Sequence, residues 1–219
     1  MLDGFDIQVI ARNGWFLANG MLVSLELTVV AALGGVLLGT LLALMRLAKS
    51  VPVSASAACY VNCLRSLPLI LVIFWFYMLV PKLLGRPTGA FYSVLVAFVL
   101  FEAAYYCEIV RAGISGIRRG QVRAGLALGL SRASVMRYVV LPQAFRNMVP
   151  VLLTQVIVLF QDTSLVYVVG VRDFLTSADV VANINNRPIE LYTTVAVVFL
   201  ILCSTGSFVV HRLQRRHLP

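Results

Sequence analysis

Five stretches of this chain carry no charged residue and are almost entirely apolar, which constrains the fold more than any other feature. They are Leu27–Met45, Ser66–Pro81, Pro87–Phe101, Asn147–Gln161 and Leu191–Val210. With its flanks, each stretch approaches the ~20 apolar residues that an α-helix needs to cross the hydrocarbon core of a bilayer. The strands of a membrane β-barrel would instead alternate apolar and polar residues. The sequence therefore predicts an all-α polytopic membrane protein, a single transmembrane domain over 1–219 with spans at about 20–45, 57–80, 90–111, 145–168 and 189–210.

The overall composition supports this fold class. Charged residues make up 12% of the chain, about half of the ~25% that is typical of soluble domains. The net charge of +9 would also fit a nucleic-acid partner, but Lys and Arg accumulate on the cytoplasmic side of membrane proteins, so no nucleic acid is expected. The N-terminal segment 1–6 is acidic and lacks the basic region of a signal peptide, so the first span is expected to stay in the mature protein.

The four cysteines are interpreted as buried thiols. All of them lie in apolar runs, and Cys59 and Cys63, which are four residues apart, have no His or carboxylate nearby. A structural metal site needs about four such ligands together. No metal site is therefore predicted, and the thiols are expected to pack as small apolar side chains.

The distribution of Lys and Arg predicts how the chain crosses the membrane. Between Glu108 and Asp162 there is no acidic residue, yet the stretch carries seven arginines. If it lies in the cytoplasm, twelve of the 18 Lys and Arg residues are inside and five are outside, while Arg65 lies within a span. Basic residues favour the cytoplasmic side. The N-terminus is therefore predicted outside, the C-terminus inside, and 112–144 in a cytoplasmic loop.

This loop is patterned as two short helices. Apolar residues recur every four positions in its first half: Val122, Leu126 and Leu130. Gly129 can adopt the left-handed conformation that ends a helix. Ser131 can then cap a second helix, which Pro142 is expected to stop. The spacing fits two interpretations equally, a ridge that docks into a groove of a cytoplasmic protein or an interfacial helix held on anionic lipid.

The loop resembles the EAA motif of ABC-importer permeases, which reads Glu-Ala-Ala, three residues, Gly, nine residues, Ile, one residue, Leu-Pro. Seven positions fall at those intervals: Arg123-Ala124-Gly125 in the place of Glu-Ala-Ala, then Gly129, Val139, Leu141 and Pro142. Only the middle alanine of the first triplet is kept, which leaves the role of the leading Glu unfilled. The resemblance implies that these residues contact an ATPase: Arg123, Ala124, Gly125, Leu126, Gly129, Ser131, Leu141 and Pro142.

Further segments are similar to the polar-amino-acid branch of these permeases, so the resemblance covers nearly the whole chain. They begin at Arg65, Glu108, Arg119, Ala127, Leu141 and Gln161. Two more, Phe101-Glu-Ala-Ala-Tyr-Tyr and Leu159-Phe-Gln-Asp-Thr-Ser-Leu-Val-Tyr, look most like the glutamate/aspartate importers. The resemblance implies the type I importer permease fold in a bacterial inner membrane. It also implies three partners: a separate subunit that binds the ATP, a periplasmic amino-acid-binding protein and a second homologous permease. The chain itself would then hold no cofactor and no catalytic residue.

Carboxylates within the spans are candidates for a substrate pathway. An ionised carboxylate in hydrocarbon is costly, so such a group faces protein or a water-filled cavity. Glu102 and Asp162 lie near the middle of spans 3 and 4, and are expected either to line the pathway or to pair with Arg65. Glu26 is interpreted as an interfacial or interhelical contact. Glu108 is interpreted as the partner of the arginine three residues later.

A second group of candidates surrounds a proline in span 2. Pro68 removes a backbone donor, and broken helices of this kind line substrate cavities. Arg65 and Ser66 would lie beside this break, and Arg65 would offer a guanidinium to a dicarboxylic amino acid. The Arg-x-x-Pro pattern is widespread in the family, so it does not select glutamate over arginine or glutamine as the substrate. Thr163 and Ser164 are expected either to bond back to helical carbonyls or to bind the ligand.

Two other functions stay open from the residues alone. One is an ATP-independent secondary transporter or channel, and the other is a non-transport scaffold whose basic loop recruits a partner or anionic lipid. An enzyme is not expected, because His211 and His217 lie in a basic tail and no nucleophile–base set can be assembled. The resemblance favours the permease of an amino acid importer, with glutamate and aspartate as substrates.

Overall fold

The computed structural model describes residues 6–217, and every regular element in that range is helical. In chain order the elements are α1 (Ile7–Arg12), α2 (Gly14–Leu47), α3 (Val51–Arg65), α4 (Leu69–Leu84), α5 (Ala90–Ser115), α6 (Arg119–Ala127), α7 (Arg132–Val135), a π-helical turn (Met136–Val140), α8 (Leu141–Asp162), a 3-10 helix (Thr163–Val169), α9 (Phe174–Asn185) and α10 (Pro188–His217). The all-α fold is thus confirmed. The prediction about the N-terminal segment falls largely on residues 1–5, which lie outside the described range.

Four helical segments are each long and apolar enough to cross a membrane, and a bent pair of helices meets the same criterion when its two helices are taken together. The four are α2, α5, α10 and the continuous helical path that contains α8. The bent pair is α3 and α4, whose axes meet at 107°. With this pair counted as one span, the number of spans is five, as predicted. The break that the sequence predicts at Pro68 in this span is confirmed.

The bend between α3 and α4 follows from a short segment around Pro68. A residue that precedes proline is pushed out of the helical conformation, and proline itself has no N–H to donate. The helix α3 therefore ends at Arg65, and the N–H of Ser66 closes it by donating to the Asn62 carbonyl at 3.1 Å. Pro68 then stands in the N-cap position of α4 with an extended backbone. The sequence predicted a break here but not a turn of this size.

The helices α2 and α5 pack closely because small residues line their contact. Gly35 and Gly39 of α2 are buried against α5. A Cβ added at Gly39 would lie 2.7 Å from the Tyr106 Cβ and 2.8 Å from the Ala103 carbonyl oxygen. Small residues at four-residue spacing let two membrane helices approach to this distance. The row of small residues is thus the seam between the first and third spans.

The prediction that Pro142 ends the second loop helix was wrong. The chain stays helical from α7 through the π-helical turn into α8, and Pro142 occupies the first turn of α8. The wider turn makes this possible, because the N–H of Leu141 bonds to the Met136 carbonyl five residues back. A proline in a first turn needs no N–H partner. The loop is therefore continuous with the fourth span.

The segment between the fourth and fifth spans contains a helix that the sequence did not predict. The helix α9 begins after Asp173, whose carboxylate accepts from the N–H groups of Leu175 at 3.1 Å and Thr176 at 2.9 Å. Its start is tied to α2, because the N–H of Phe174 donates to the Ser24 hydroxyl at 3.1 Å. An acidic N-cap of this kind satisfies backbone donors that the helix leaves free.

The cysteines divide into two pairs. Cys107 and Cys203 are buried, as predicted, whereas Cys59 and Cys63 are exposed on α3, so the prediction of buried thiols was wrong for this pair. The exposed face of α3 also carries Ser56 and Asn62. By contrast, the exposed face of α2 is made of leucines and valines: Leu22, Leu25, Val29, Leu33, Leu37 and Leu41.

Candidate functional site

Glu108, near the end of α5, is the centre of an ion-pair cluster that joins three helices. Arg111 donates from Nε and a terminal nitrogen to one carboxylate oxygen at 3.0 and 2.7 Å. Arg46 of α2 donates to the other oxygen. Arg65, at the end of α3, places a nitrogen 3.8 Å from that same oxygen. The predicted pairing of Glu108 with Arg111 is confirmed, and the same carboxylate also ties α2 and α3 to α5.

Arg65 is the most accessible member of this cluster. Its side chain is 41% exposed, compared with 16% for Arg46. Its guanidinium carbon lies 5.3 Å from the centre of the Tyr105 ring, within range of a cation–π contact. The alternative pairing of Arg65 with Glu102 or Asp162 was wrong, since its carboxylate partner is Glu108. Three guanidiniums around one carboxylate leave an excess of two positive charges at this point.

Glu102 is fully buried between α2, α5 and α8. The amide nitrogen of Gln155, on α8, lies 3.1 Å from one of its oxygens and 3.4 Å from the other. On the α2 side, a Cβ added at Gly35 would lie 3.0 Å from the Glu102 Cβ. A buried polar group is costly unless it is hydrogen-bonded. The Glu102–Gln155 contact therefore fixes the register of α8 against α5.

Asp162 and the two hydroxyl residues after it mark the point where α8 narrows into the 3-10 helix. Asp162 is half-buried, and no hydrogen bond joins its side chain to the described part of the chain. It lies at the end of α8, not near its middle as predicted. Thr163 donates to the Phe160 carbonyl at 2.7 Å and Ser164 to the Gln161 carbonyl at 2.8 Å. Both hydroxyls thus bond back to the helix, which leaves their lone pairs free to accept.

Three residues near these candidates were not identified from the sequence. Gln155 and Arg46 are the partners of the two span carboxylates. Tyr106 is fully buried one turn after Glu102, and its hydroxyl has no hydrogen-bond partner among the described residues. A tyrosine four residues after a glutamate in an apolar helix is the signal that would have found it, because the two share a helix face.

Glu26 stands apart from these groups. It is exposed on α2, and no hydrogen bond or ion pair to the rest of residues 6–217 is found for it. The interhelical contact that was one of its two interpretations is therefore not made within this chain. The interfacial position remains a prediction.

Six of the eight predicted coupling residues lie in α6, in the N-cap of α7 or in the turn between these helices, while Leu141 and Pro142 begin α8. Gly125 is buried against Val135, where an added Cβ would lie 2.9 Å from a valine methyl carbon. Gly129 has a φ of 82°, the left-handed conformation predicted for it. The Ser131 hydroxyl accepts from the Ser134 N–H at 3.1 Å, which confirms its role as an N-cap. The helix–glycine–helix pattern of the loop is thus confirmed.

Most coupling residues point outward. Leu126 and Leu141 are 40% and 43% exposed, and Arg123, Ala124 and Pro142 are exposed as well. A groove of about 370 Å³ runs between the two helices. It is lined by Val122, Leu126, Arg132, Val135, Met136 and Val140. An exposed apolar surface beside a groove is typical of a site that contacts another protein.

Comparisons with known proteins agree with this architecture. The family described as binding-protein-dependent transport system inner membrane component matches residues 35–218. The chain is 44% identical to the glutamate/aspartate import permease protein GltK of Escherichia coli O6:H1, over 97% of this chain and 98% of that protein. It is 31% identical to the arginine transport system permease protein ArtQ of Bacillus subtilis, over 92% of each.

Solved structures give the same result. A crystal structure of an amino acid ABC transporter with histidines superimposes with a TM-score of 0.91 and 30% identity, covering 96% of this chain and 98% of that one. An inward-facing structure of the MetNI methionine ABC transporter superimposes with a TM-score of 0.77 at 22% identity, which supports the fold. The type I importer permease fold and the multi-pass inner-membrane localisation are therefore confirmed. With 184 consecutive residues matched, the chain belongs to the family of binding-protein-dependent transport system inner membrane components.

Proposed function

We propose that this chain is the transmembrane permease subunit of an ATP-driven importer for glutamate and aspartate. The observation that carries the proposal is the 44% identity to a glutamate/aspartate import permease along 97% of the chain. A periplasmic binding protein would deliver the amino acid to the outer face, and a second homologous permease would complete the route. A separate subunit would bind and hydrolyse ATP, so this chain needs no cofactor and performs no catalysis.

The side chains at the broken second span fit an acidic substrate. Arg65 is partly exposed and only weakly engaged by Glu108, at 3.8 Å. A guanidinium forms paired hydrogen bonds with a carboxylate, and this geometry suits either carboxylate of glutamate or aspartate. Glu108 keeps two other arginines when Arg65 turns away. Ser66 and Pro68 hold Arg65 at the helix break.

The ammonium group of the substrate needs a carboxylate, and Asp162 suits it better than Glu102. Glu102 is enclosed and already accepts from Gln155, whereas the Asp162 carboxylate is half-buried and makes no hydrogen bond among the described residues. Ser164 lies near it with hydroxyl lone pairs that can accept from an ammonium, whereas Thr163 is fully buried and does not reach a ligand. In this arrangement Asp162 binds the ammonium, and Glu102 positions α8.

The loop would couple ATP hydrolysis to transport through the helical path that leaves it. The chain is helical without interruption from Arg132 to Asp162. At 1.5 Å per residue, Gln155 lies about 35 Å along this path from Arg132. A movement of α6 and α7 that is driven by the ATPase would therefore reach the contact between Gln155 and Glu102.

Uptake by reconstituted proteoliposomes tests the proposal. The liposomes would hold this chain together with the second permease and the ATPase of the system, with the binding protein outside. We expect uptake of labelled glutamate that requires both ATP and the binding protein. Unlabelled aspartate should suppress this uptake more strongly than unlabelled arginine does. Uptake by this chain alone, driven by a proton or sodium gradient, would show a secondary transporter. If the full set transports no amino acid, a scaffold is favoured.

A pair of substitutions at Gly129 separates coupling from folding. An added Cβ would meet no atom within 4 Å there, so only the backbone conformation at φ 82° limits the side chain. Asparagine tolerates this conformation, whereas a β-branched valine costs at least ~1–2 kcal/mol. Gly129→Asn should keep near-normal uptake, and Gly129→Val should lose it about 5- to 30-fold. Both variants should elute as the wild type does in size-exclusion chromatography.

A further inference from the structure

The surface made by α6 and α7 carries a concentration of unpaired positive charge. Six arginines of the loop and its flanks are exposed: Arg118, Arg119, Arg123, Arg132, Arg137 and Arg146. None of the six forms an ion pair within residues 6–217. The acids that bracket this stretch in sequence are Glu108, whose two oxygens are occupied by Arg46 and Arg111, and Asp162, which forms no ion pair with these arginines in the described residues. Six exposed guanidiniums therefore have no acidic neighbour of their own.

Arg123 is exposed on the outward side of α6. Gly125 marks the face of α6 that packs against Val135 of the neighbouring segment. Two residues along an α-helix correspond to a rotation of about 200°, so Arg123 points almost directly away from that face. Around the helix Arg119 lies about 40° and Leu126 about 60° from Arg123, both on the same side of it. Two cations and an exposed leucine thus share one narrow outward arc.

This arrangement suits a protein groove better than a lipid surface. An interfacial helix separates its apolar face, which enters the acyl region, from the charged face that stays among headgroups. On α6 the separation is incomplete, because the cation of Arg119 lies only about 20° from Leu126 around the helix. A protein groove with an apolar floor and acidic rim can satisfy both kinds of side chain at once.

We propose that the ATPase which this permease engages presents an acidic rim around an apolar groove, with a carboxylate opposite Arg123. The inference rests on the proposed function, because it assigns the chemistry of the coupling partner. Arg123 stands where the EAA pattern has a glutamate, so this position carries a positive charge instead of a negative one. The facing position of the ATPase would accordingly carry a negative charge. Arg119 and the exposed arginines around it add long-range attraction, which accelerates encounter at low salt.

Binding of the ATPase to the permease pair in nanodiscs of neutral lipid tests the inference. Labelled ATPase would be titrated at 50 and 500 mM salt. For the wild type we expect binding to weaken at least tenfold over this range. Arg123→Glu should weaken binding at least tenfold at low salt and reduce the salt dependence, while Arg123→Lys should stay within about threefold of the wild type. Arg86→Glu, at an exposed arginine of the predicted outer side, is the matched control and should bind normally.

The glutamate variant makes the test sharp. If the groove were built for the residue of the EAA pattern, Arg123→Glu would bind as well as the wild type or better, and the inference would be overturned. The inference would also be overturned if Arg123→Glu weakened ATPase binding only in nanodiscs of anionic lipid, because Arg123 would then contact the membrane surface. Arg119→Glu serves as a second variant on the same arc, with a smaller loss expected. If Arg123→Glu does not fold, Arg119→Glu and the salt dependence of the wild type decide the inference.

Binding and transport failures are distinguishable in this design. Salt-sensitive ATPase binding without glutamate uptake would contradict the proposed substrate and leave the acidic groove standing. Normal glutamate uptake together with salt-insensitive ATPase binding would contradict the acidic groove and leave the proposed substrate standing. Replacement of groove carboxylates of the ATPase by lysine, one at a time, should restore binding to Arg123→Glu at one position.

Discussion

Replacing Gly39 by alanine should push α2 and α5 apart and destabilise the bundle. The added Cβ would lie 2.7 Å from the Tyr106 Cβ, 2.8 Å from the Ala103 carbonyl oxygen and 2.9 Å from the Cys107 nitrogen. Ordinary carbon contacts are about 3.5–4 Å, so each of these falls short by roughly 1 Å. Two of the three atoms belong to the backbone of α5 and cannot rotate away. The helices themselves must therefore shift.

The net effect is a loss of about 2 kcal/mol. Overpacking of a well-packed contact costs about 1–3 kcal/mol, and backbone neighbours favour the upper end of that range. Alanine offsets about 1 kcal/mol of this, because it is a better helix former than glycine. The remaining difference corresponds to a change of about 30-fold in the folding equilibrium.

Two further glycines of α2 provide controls within the same helix. A Cβ at Gly14 would meet nothing within 4 Å, and one at Gly34 would meet only the side-chain methyl groups of Val99, at 2.9 and 3.0 Å. Equilibrium unfolding in mixed micelles, followed by tryptophan fluorescence, should rank Gly14→Ala as most stable, Gly34→Ala next and Gly39→Ala last. If Gly39→Ala were as stable as Gly14→Ala, the argument that small residues set the spacing of α2 and α5 would fail.

Three other substitutions or modifications follow from the structure. Glu108→Gln leaves three guanidiniums without their carboxylate and should cost roughly 2–3 kcal/mol in the same unfolding assay, somewhat below the ~3–5 for a fully buried pair; an unchanged midpoint would contradict the cluster. A thiol reagent should modify the exposed α3 cysteines within minutes and reach Cys107 and Cys203 only after unfolding, as mass spectrometry of peptides would show. Pro142→Ala supplies an N–H that permits an ordinary α-helical turn. A π-helical turn holds about one extra residue, so its loss would rotate α7 by about 100° relative to α8. With the coupling surface turned away from its position, we expect the transporter to hydrolyse ATP without amino acid uptake.

Features encoded by composition and local spacing could be predicted from the sequence. The uncharged runs predicted the approximate spans. Gly129 and Ser131 predicted where one loop helix ends and the next begins, because a left-handed glycine and a serine N-cap depend only on the local backbone. The four-residue spacing of Gly35 and Gly39 is a local pattern of the same kind, since such a row lets another helix approach closely. The orientation of the chain in the membrane, with the N-terminus outside and the C-terminus inside, is based on the distribution of Lys and Arg and remains a prediction.

Features that depend on distant partners could not be predicted. Nothing near Glu108 in sequence indicates Arg46, which lies 62 positions earlier. Gln155 shows no sign of its contact with Glu102, since a lone amide in an apolar run also fits a lipid-interface position. Pro142 was misjudged because the rule that proline ends a helix assumes the α-helical bond pattern, which the π-helical turn avoids. The role of the candidate pathway residues remains a prediction.

The fourth span has the geometry of a lever between the coupling surface and the pathway. It contacts α5 at two levels, first where Met148 fills the space beside Gly113 and then where Gln155 bonds to Glu102. Met148 lies about 24 Å along the helical path from Arg132, and Gln155 about 10 Å further on. If the span pivots at Met148, a displacement of one helical turn at α7, about 5.4 Å, becomes about 2 Å at Gln155. A shift of that size breaks a hydrogen bond of 3.1 Å. The buried Glu102 would then lose its partner in one state and regain it in the other, and on this prediction the contact would have the two arrangements that coupling requires.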